Sequence, residues 1–151
     1  NTPMEETALA LLTMYNINVG IDFSKLNELS ALVQKLSGTT IPVNRPFIGE
    51  GAYNIESGIV TGWFKNVFEK DPTTVYPVRP EFVGHKKPEI LMGKKSGVDN
   101  IEIWTKKLGI KVTEEEGMEV LRRVKLKAHD LKRTLKESEF KKIVKEVKRE
   151  Q

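Results

Sequence analysis

Pro46-Phe47-Ile48-Gly49-Glu50-Gly51-Ala52-Tyr53-Asn54-Ile55-Glu56-Ser57-Gly58-Ile59-Val60 fits neither the 3.6-residue period of a helix nor the alternation of a strand. Gly49, Gly51 and Gly58 stand among two acids, Glu50 and Glu56, and two residues with polar handles, Tyr53 and Ser57. Glycine at that density marks backbone that takes positive φ or is approached closely. On both sides the pattern turns helical, so this stretch is an irregular hub between helix-rich parts.

Upstream, Thr2-Pro3-Met4-Glu5 reads as a capping box with proline at the first helical position. The helix it opens, with Ala8, Leu9, Ala10, Leu11, Leu12 and Met14, is apolar nearly all round and calls for burial on several sides. Asp22 can cap a second helix bearing Leu26, Leu29, Val33 and Leu36, stopped by Gly38. Thr39 to Pro46 reads as extended linker, because residues before proline avoid the α region.

Downstream, Gly58 to Glu69 reads as a helix closed by Asp71-Pro72, and Pro77 and Pro80 place Tyr76 on a loop. Glu89 to Gly93 is a short strand candidate. Ser96 or Gly97 opens a helix with Val98, Ile101, Trp104 and Leu108 in line, ended by Gly109. Thr113-x-x-Glu116 is another capping box, opening a long helix whose seam runs Met118, Leu121, Val124, Ala128, Leu131, Leu135. Ser138 can cap a last helix with Phe140, Ile143, Val144 and Val147. The reading is mainly α with a few short strands, in segments 1–38, 39–92 and 93–151, the last a three-helix cluster.

Composition sets bounds on function. With 38% hydrophobic and 30% charged residues, the 151-residue chain is globular in type, the size of one domain or two small ones. No apolar run reaches the roughly 18 residues of a membrane span, and no charged-then-apolar leader is read. The absence of cysteine excludes disulfides and thiolate metal sites and favours a cytoplasmic setting. The first residues are Asn1-Thr2 rather than methionine, so a processed or excised start is expected. Net charge is +4, but residues 1–84 hold 6 Lys/Arg against 9 Asp/Glu, and residues 85–151 hold 19 against 12. Glu and Lys interleave in that basic half and Phe140 is its one aromatic after Trp104, which reads as solvated helix faces and not as a nucleic-acid surface.

Chemistry candidates are few. His85 and His129 are the only histidines and show no metal-ligand spacing; His129 falls on a polar helix side, and His85 on a loop. Glu50 and Glu56 form either an acid/base pair or ordinary loop salt bridges. Gly93-Lys94-Lys95-Ser96-Gly97 ahead of a helix is either a small anion cradle, with Lys94, Ser96 and Gly97 holding a phosphate-bearing cofactor, or a simple turn. It lacks nucleotide-loop spacing.

The order of motifs is more specific. Asn1-Thr2-Pro3-x-Glu5-Glu6, the run Tyr15 through Ser30, G-E-x-A at Gly49 to Ala52, E-S-G-I at Glu56 to Ile59, Pro80 to Gly84 and G-K-x-S-G at Gly93 to Gly97 follow one another. In this order they resemble the C-terminal part of 2-isopropylmalate synthase and its homocitrate and citramalate synthase relatives, in the metal-dependent barrel superfamily of 3-hydroxy-3-methylglutaryl-CoA lyase. The resemblance implies the end of a TIM-barrel enzyme: residues 1–38 as the last barrel helix and the next helix, 39–92 as a Gly/Pro-rich linker, and 93–151 as a helical subdomain. It implies an acyltransferase joining acetyl-CoA to a 2-oxo acid with a divalent metal ion, a missing N-terminal barrel, a homodimer, and a role in closing the active site. Asn1 matches the family asparagine at or beside the metal. Tyr76 approximates a loop tyrosine of the synthases, one residue short in its offset. The sequence departs at Val60 and Ile55, where the family carries histidines, at Lys95 in place of histidine and at His85 in place of arginine. Valine transfers no proton, so either another group such as His85 replaces the histidine, or the chain belongs to a subgroup with a different reaction, such as a related lyase. The other expectation is a self-sufficient helical module binding a partner protein or anionic surface; such a module would bury Leu9, Leu11, Leu12 and Met14 within its own chain.

Overall fold

The computed structural model describes residues 1–150. The chain is helical, and it divides into two units: Asn1–Tyr53 with Tyr76–Pro88, and Asn54–Val75 with Glu89 onward.

In the first unit, α1 (Met4–Tyr15) ends where Asn16 turns into the left-handed region, φ 54°. The amides of Asn16 and Ile17 then close onto the Leu12 and Leu11 carbonyls at 3.1 and 2.9 Å. The expected capping box does not form: Pro3 sits at the N-cap without a side-chain bond, and the buried Glu5 carboxylate is taken by Arg45 Nε at 2.9 Å. A pair charged on both sides outcompetes a carboxylate bond to a neutral backbone amide. Asp22 caps a one-turn 3-10 helix, Phe23–Lys25, by accepting from the Ser24 amide at 3.0 Å. That turn runs directly into α2 (Leu26–Ser37), which Gly38 ends at φ 69°. A second 3-10 turn, Pro80–Val83, follows on the returning segment. Asn27 ties the unit together, its amide donating to the carbonyls of Phe47 (3.2 Å) and Val83 (2.8 Å). Phe23 stacks on Phe82 at 5.4 Å. Gly84 is obligatory, since at φ +66° a Cβ would lie 2.0 Å from the Ser24 carbonyl oxygen. Ala8, Leu9, Phe23, Leu26, Tyr53, Tyr76 and Val83 are buried, but the α2 stripe beyond Leu26 is not: Val33 is 52% and Leu36 77% exposed.

The second unit carries α3 (Gly58–Val67), a 3-10 turn at Pro72–Thr74, α4 (Val98–Leu108), α5 (Glu114–Leu131) and α6 (Glu137–Glu150). The strand expected at Glu89 to Gly93 reduces to one parallel bridge between Ile55 and Ile90. Its bonds are the Ile55 amide to the Glu89 carbonyl (2.9 Å) and the Leu91 amide to the Ile55 carbonyl (2.7 Å). Pro88 just before and the turn at Gly93 leave no room for a longer ladder. The Thr113/Glu116 capping box forms as read, with bonds of 3.1 and 2.6 Å.

Met92, Ile101, Trp104, Val120, Leu121, Val124, Ala128, Leu135, Phe140, Ile143, Val144 and Val147 make one core. Fully buried members such as Phe140 and Val124 each contribute roughly 1.5–3 kcal/mol. Trp104 packs edge-on to Phe140 at 5.3 Å and donates its indole N–H to the Ile90 carbonyl at 2.7 Å. Three seam residues differ from expectation, among them Leu131, which stays half-buried outside the core. Met118 is exposed, its place on α5 taken by Val120. Leu135 is buried from a loop, because α5 ends at Lys132 (φ 52°), and its amide donates to the Met92 carbonyl at 2.7 Å. Ser138 does not cap α6; it lies inside the first turn, and the Glu139 carboxylate accepts from the Lys136 amide at 2.8 Å instead.

Candidate functional site

The candidate residues fall into two groups, one in each unit. In the second unit Glu56, Lys94, Ser96 and Gly97 meet around the loop before α4. Glu56 Oε1 accepts the Lys95 amide at 3.0 Å. A Cβ at position 93 would stand 2.3 Å from that same oxygen, so Gly93 makes room for the carboxylate. Ser96 is buried, with its Oγ accepting from the Gly93 amide at 2.9 Å, while the Ser96 amide donates to the Gly93 carbonyl at 3.2 Å. The Gly97 amide donates to Asn100 Oδ1 at 2.8 Å. Four backbone donors of the loop are thus engaged inside the chain, one by a carboxylate. Lys94 remains exposed at the rim.

Asn100 organises this group and was not singled out by sequence reasoning. It is fully buried, and its amide nitrogen donates to the carbonyls of Glu56 and Leu91, both at 3.1 Å. The available signal was its place three residues after Gly97, where an amide side chain reaches back to the start of a helix. Gly58 and Gly97 complete the arrangement by backbone contact: a Cβ on Gly58 would lie 2.7 Å from the Gly97 Cα. Beside this loop opens a cavity of about 390 Å³ whose lining includes Glu56, Lys94, His129, Lys132, Arg133 and Thr134. His129 is exposed, as its polar helix side implied.

In the first unit Tyr53, Tyr76 and His85 cluster. The buried Tyr76 hydroxyl donates to the Tyr53 carbonyl at 2.6 Å, and the two rings meet edge-on at 5.1 Å. His85 lies 4.9 Å from the Tyr53 ring, with Nε2 2.9 Å from the Gly49 carbonyl oxygen, so the Nε2–H form donates there. Burial, helped by the Glu81 charge, pushes the Tyr53 hydroxyl up to about 12. Burial also raises Tyr76, helped by Tyr53. Both phenols therefore act as protonated groups at neutral pH. The Tyr53 hydroxyl is buried without a hydrogen-bond partner among the described residues. A cavity of about 560 Å³ opens alongside, lined in part by Asn27, Ser30, Gln34, Glu50, His85 and Lys86.

Asn1 is exposed at the first residue. Among the described residues no three His, Cys, Asp or Glu side chains converge into a metal-holding group. One amide oxygen does not satisfy a divalent cation that takes about six ligands, so the residues present do not fit a metal centre. Ile55 is buried within the bridge and Val60 is half-buried. No helix among the described residues is long and apolar enough to cross a membrane.

Residues 47–132 match the model of the homocitrate synthase post-HMGL domain-like family. The chain belongs to this family. It is 39% identical over 125 residues to a Methanopyrus kandleri protein named "Probable 2-isopropylmalate synthase", covering 83% of this chain and 24% of that protein. It is 32% identical over 148 residues to homocitrate synthase AksA of Methanothermobacter thermautotrophicus, covering 98% of this chain and 36% of the relative. With homocitrate synthase AksA of Methanocaldococcus jannaschii it shares 33% over 149 residues, covering 99% and 35%. The chain thus spans about a quarter to a third of the length of these relatives.

Proposed function

We propose that this chain is the C-terminal portion of an acyltransferase that condenses acetyl-CoA with a 2-oxo acid, closing the active site of that enzyme and contributing to its dimer. The observation that carries this reading is the family match over residues 47–132, joined to relatives named as synthases of this group. A second observation supports it. A self-sufficient module would bury the first helix, yet Leu9 alone among Leu9, Leu11, Leu12 and Met14 is buried, and Met14 is 74% exposed. That surface suits packing against further protein.

In the full enzyme the ligands of a divalent metal would come from the barrel, with Asn1 beside them. This chain would supply positioning. Glu56 and Asn100 hold the loop before α4, and Tyr76 and His85 shape the segment around Gly49 and Tyr53. His85 is the candidate substitute for the histidines that the resemblance implies at Val60 and Ile55. The test compares the 151-residue chain with a longer product of the same gene carrying a barrel. Thiol release from acetyl-CoA is followed with pyruvate, 2-oxoisovalerate and 2-oxoglutarate. The chain alone should release none and the longer product should turn over one of them. Turnover by the chain alone, or none by the longer product, would overturn the reading.

A further inference from the structure

We propose that the cavity beside the loop preceding α4 is a binding site for a phosphomonoester, the group shared by inorganic phosphate and the 3′-phosphate of coenzyme A. Positive charge reaches this cavity from two separate elements: Lys94 from the loop, and Lys132 and Arg133 from the end of α5. Basic side chains at a helix C-terminus complement its dipole, which accounts for Lys132 and Arg133 by themselves. It does not account for Lys94, which belongs to no helix and lines the same space.

The two lysines carry the free charge. Arg133 is held by Glu139 in a forked pair, 2.9 and 2.8 Å, which fixes its guanidinium plane and neutralises it. Neither Lys94 nor Lys132 has a carboxylate partner among the described residues. Glu56, the one acid in the lining, has one carboxylate oxygen engaged by the Lys95 amide. Lys132 also occupies a left-handed conformation, φ 52°, that glycine takes at least cost. Two ammonium groups, the Thr134 hydroxyl and His129 on one open cavity suit a compact dianion that accepts several hydrogen bonds.

The coenzyme A source rests on the proposed acyl-CoA reading; the phosphate chemistry does not. The test is an amide-shift titration of the ¹⁵N-labelled chain with inorganic phosphate, coenzyme A and dephospho-coenzyme A, following Lys94 and residues 132–134. Coenzyme A should bind at least about fivefold more tightly than the dephospho form. The double variant Lys94→Gln/Lys132→Gln should weaken binding about tenfold or more, and Lys148→Gln on α6 should leave it unchanged. If inorganic phosphate moves the same amides and coenzyme A binds no better, the site stands with free phosphate as its ligand. Silence from all three probes, wild-type binding by the double variant, or equal binding of the two coenzyme forms without phosphate binding overturns it. Turnover plays no part in this readout, so failure of the enzyme reading and failure of the site are separable.

Discussion

Gly93 and Glu56 constrain one another at the scale of single residues. The carboxylate lies where a side chain at 93 would have to be, 2.3 Å from an added Cβ, whereas Gly58 faces the Gly97 backbone at 2.7 Å. A flexible carboxylate can swing away and a backbone cannot. Gly93→Ala should therefore cost about 1–3 kcal/mol, and Gly58→Ala more, in urea unfolding with unchanged m values. In the background of Glu56→Ala the cost of Gly93→Ala should fall by about 1 kcal/mol or more, while that of Gly58→Ala stays the same. Additive effects of Glu56→Ala and Gly93→Ala would refute the proposed packing. The same pair shows what sequence reading reaches at this scale. The glycines and acids could be picked out by type, but the contact between Glu56 and the Lys95 amide joins residues 39 positions apart, and no local pattern encodes that pairing.

At the scale of elements, ion pairs join α5 and α6 at both ends, Arg123 to Glu150 and Arg133 to Glu139. The Arg122 and Arg123 guanidiniums hold the Glu119 carboxyl at about 2, below its ordinary 4.5. Arg133, with the Lys136 amide, does the same for Glu139. Carboxyls depressed by folding stabilise the native state above pH 4.5, and that contribution drains away as pH falls toward 2. The melting temperature should change little between pH 7 and 5 and fall between 4.5 and 2. Glu139→Gln should start lower and fall less, and a variant profile parallel to the wild type would sink the assignment. Helix existence in this part was legible because capping and periodicity are local: Thr113 with Glu116, and Phe140, Ile143, Val144, Val147 in register. The misplaced residues were those decided by long-range competition. Arg45 draws Glu5 from its cap, and the core draws Leu135 in from a loop.

Across the whole molecule the two units differ in how much apolar surface they bury. The second has a twelve-residue core. The first leaves Met4, Met14, Leu32, Val33 and Leu36 exposed. Hydrogen exchange in the isolated chain should be slowest at Val124, Phe140 and Val144 and much faster at Leu32 and Val33, because local stability follows buried apolar contact. Equal protection in both places would show that α2 is covered, contrary to its exposure here. The family could be read from ordered motifs, whereas the uncovered stripe of α2 could not, since an apolar repeat is the same in sequence whether or not something lies over it.

The first unit is interrupted: its segment up to Tyr53 is completed only by Tyr76–Pro88. Asn27 needs the Val83 carbonyl, and the Tyr53 carbonyl needs the Tyr76 hydroxyl. During synthesis, then, the segment up to Tyr53 waits. It closes only after the excursion through α3 has left the ribosome and the chain has doubled back, at a loop-closure cost that grows slowly with its length. Translation order and folding order differ here, and a nascent chain stalled before Pro88 presents the apolar residues of α1 and α2 to whatever stands at the tunnel exit.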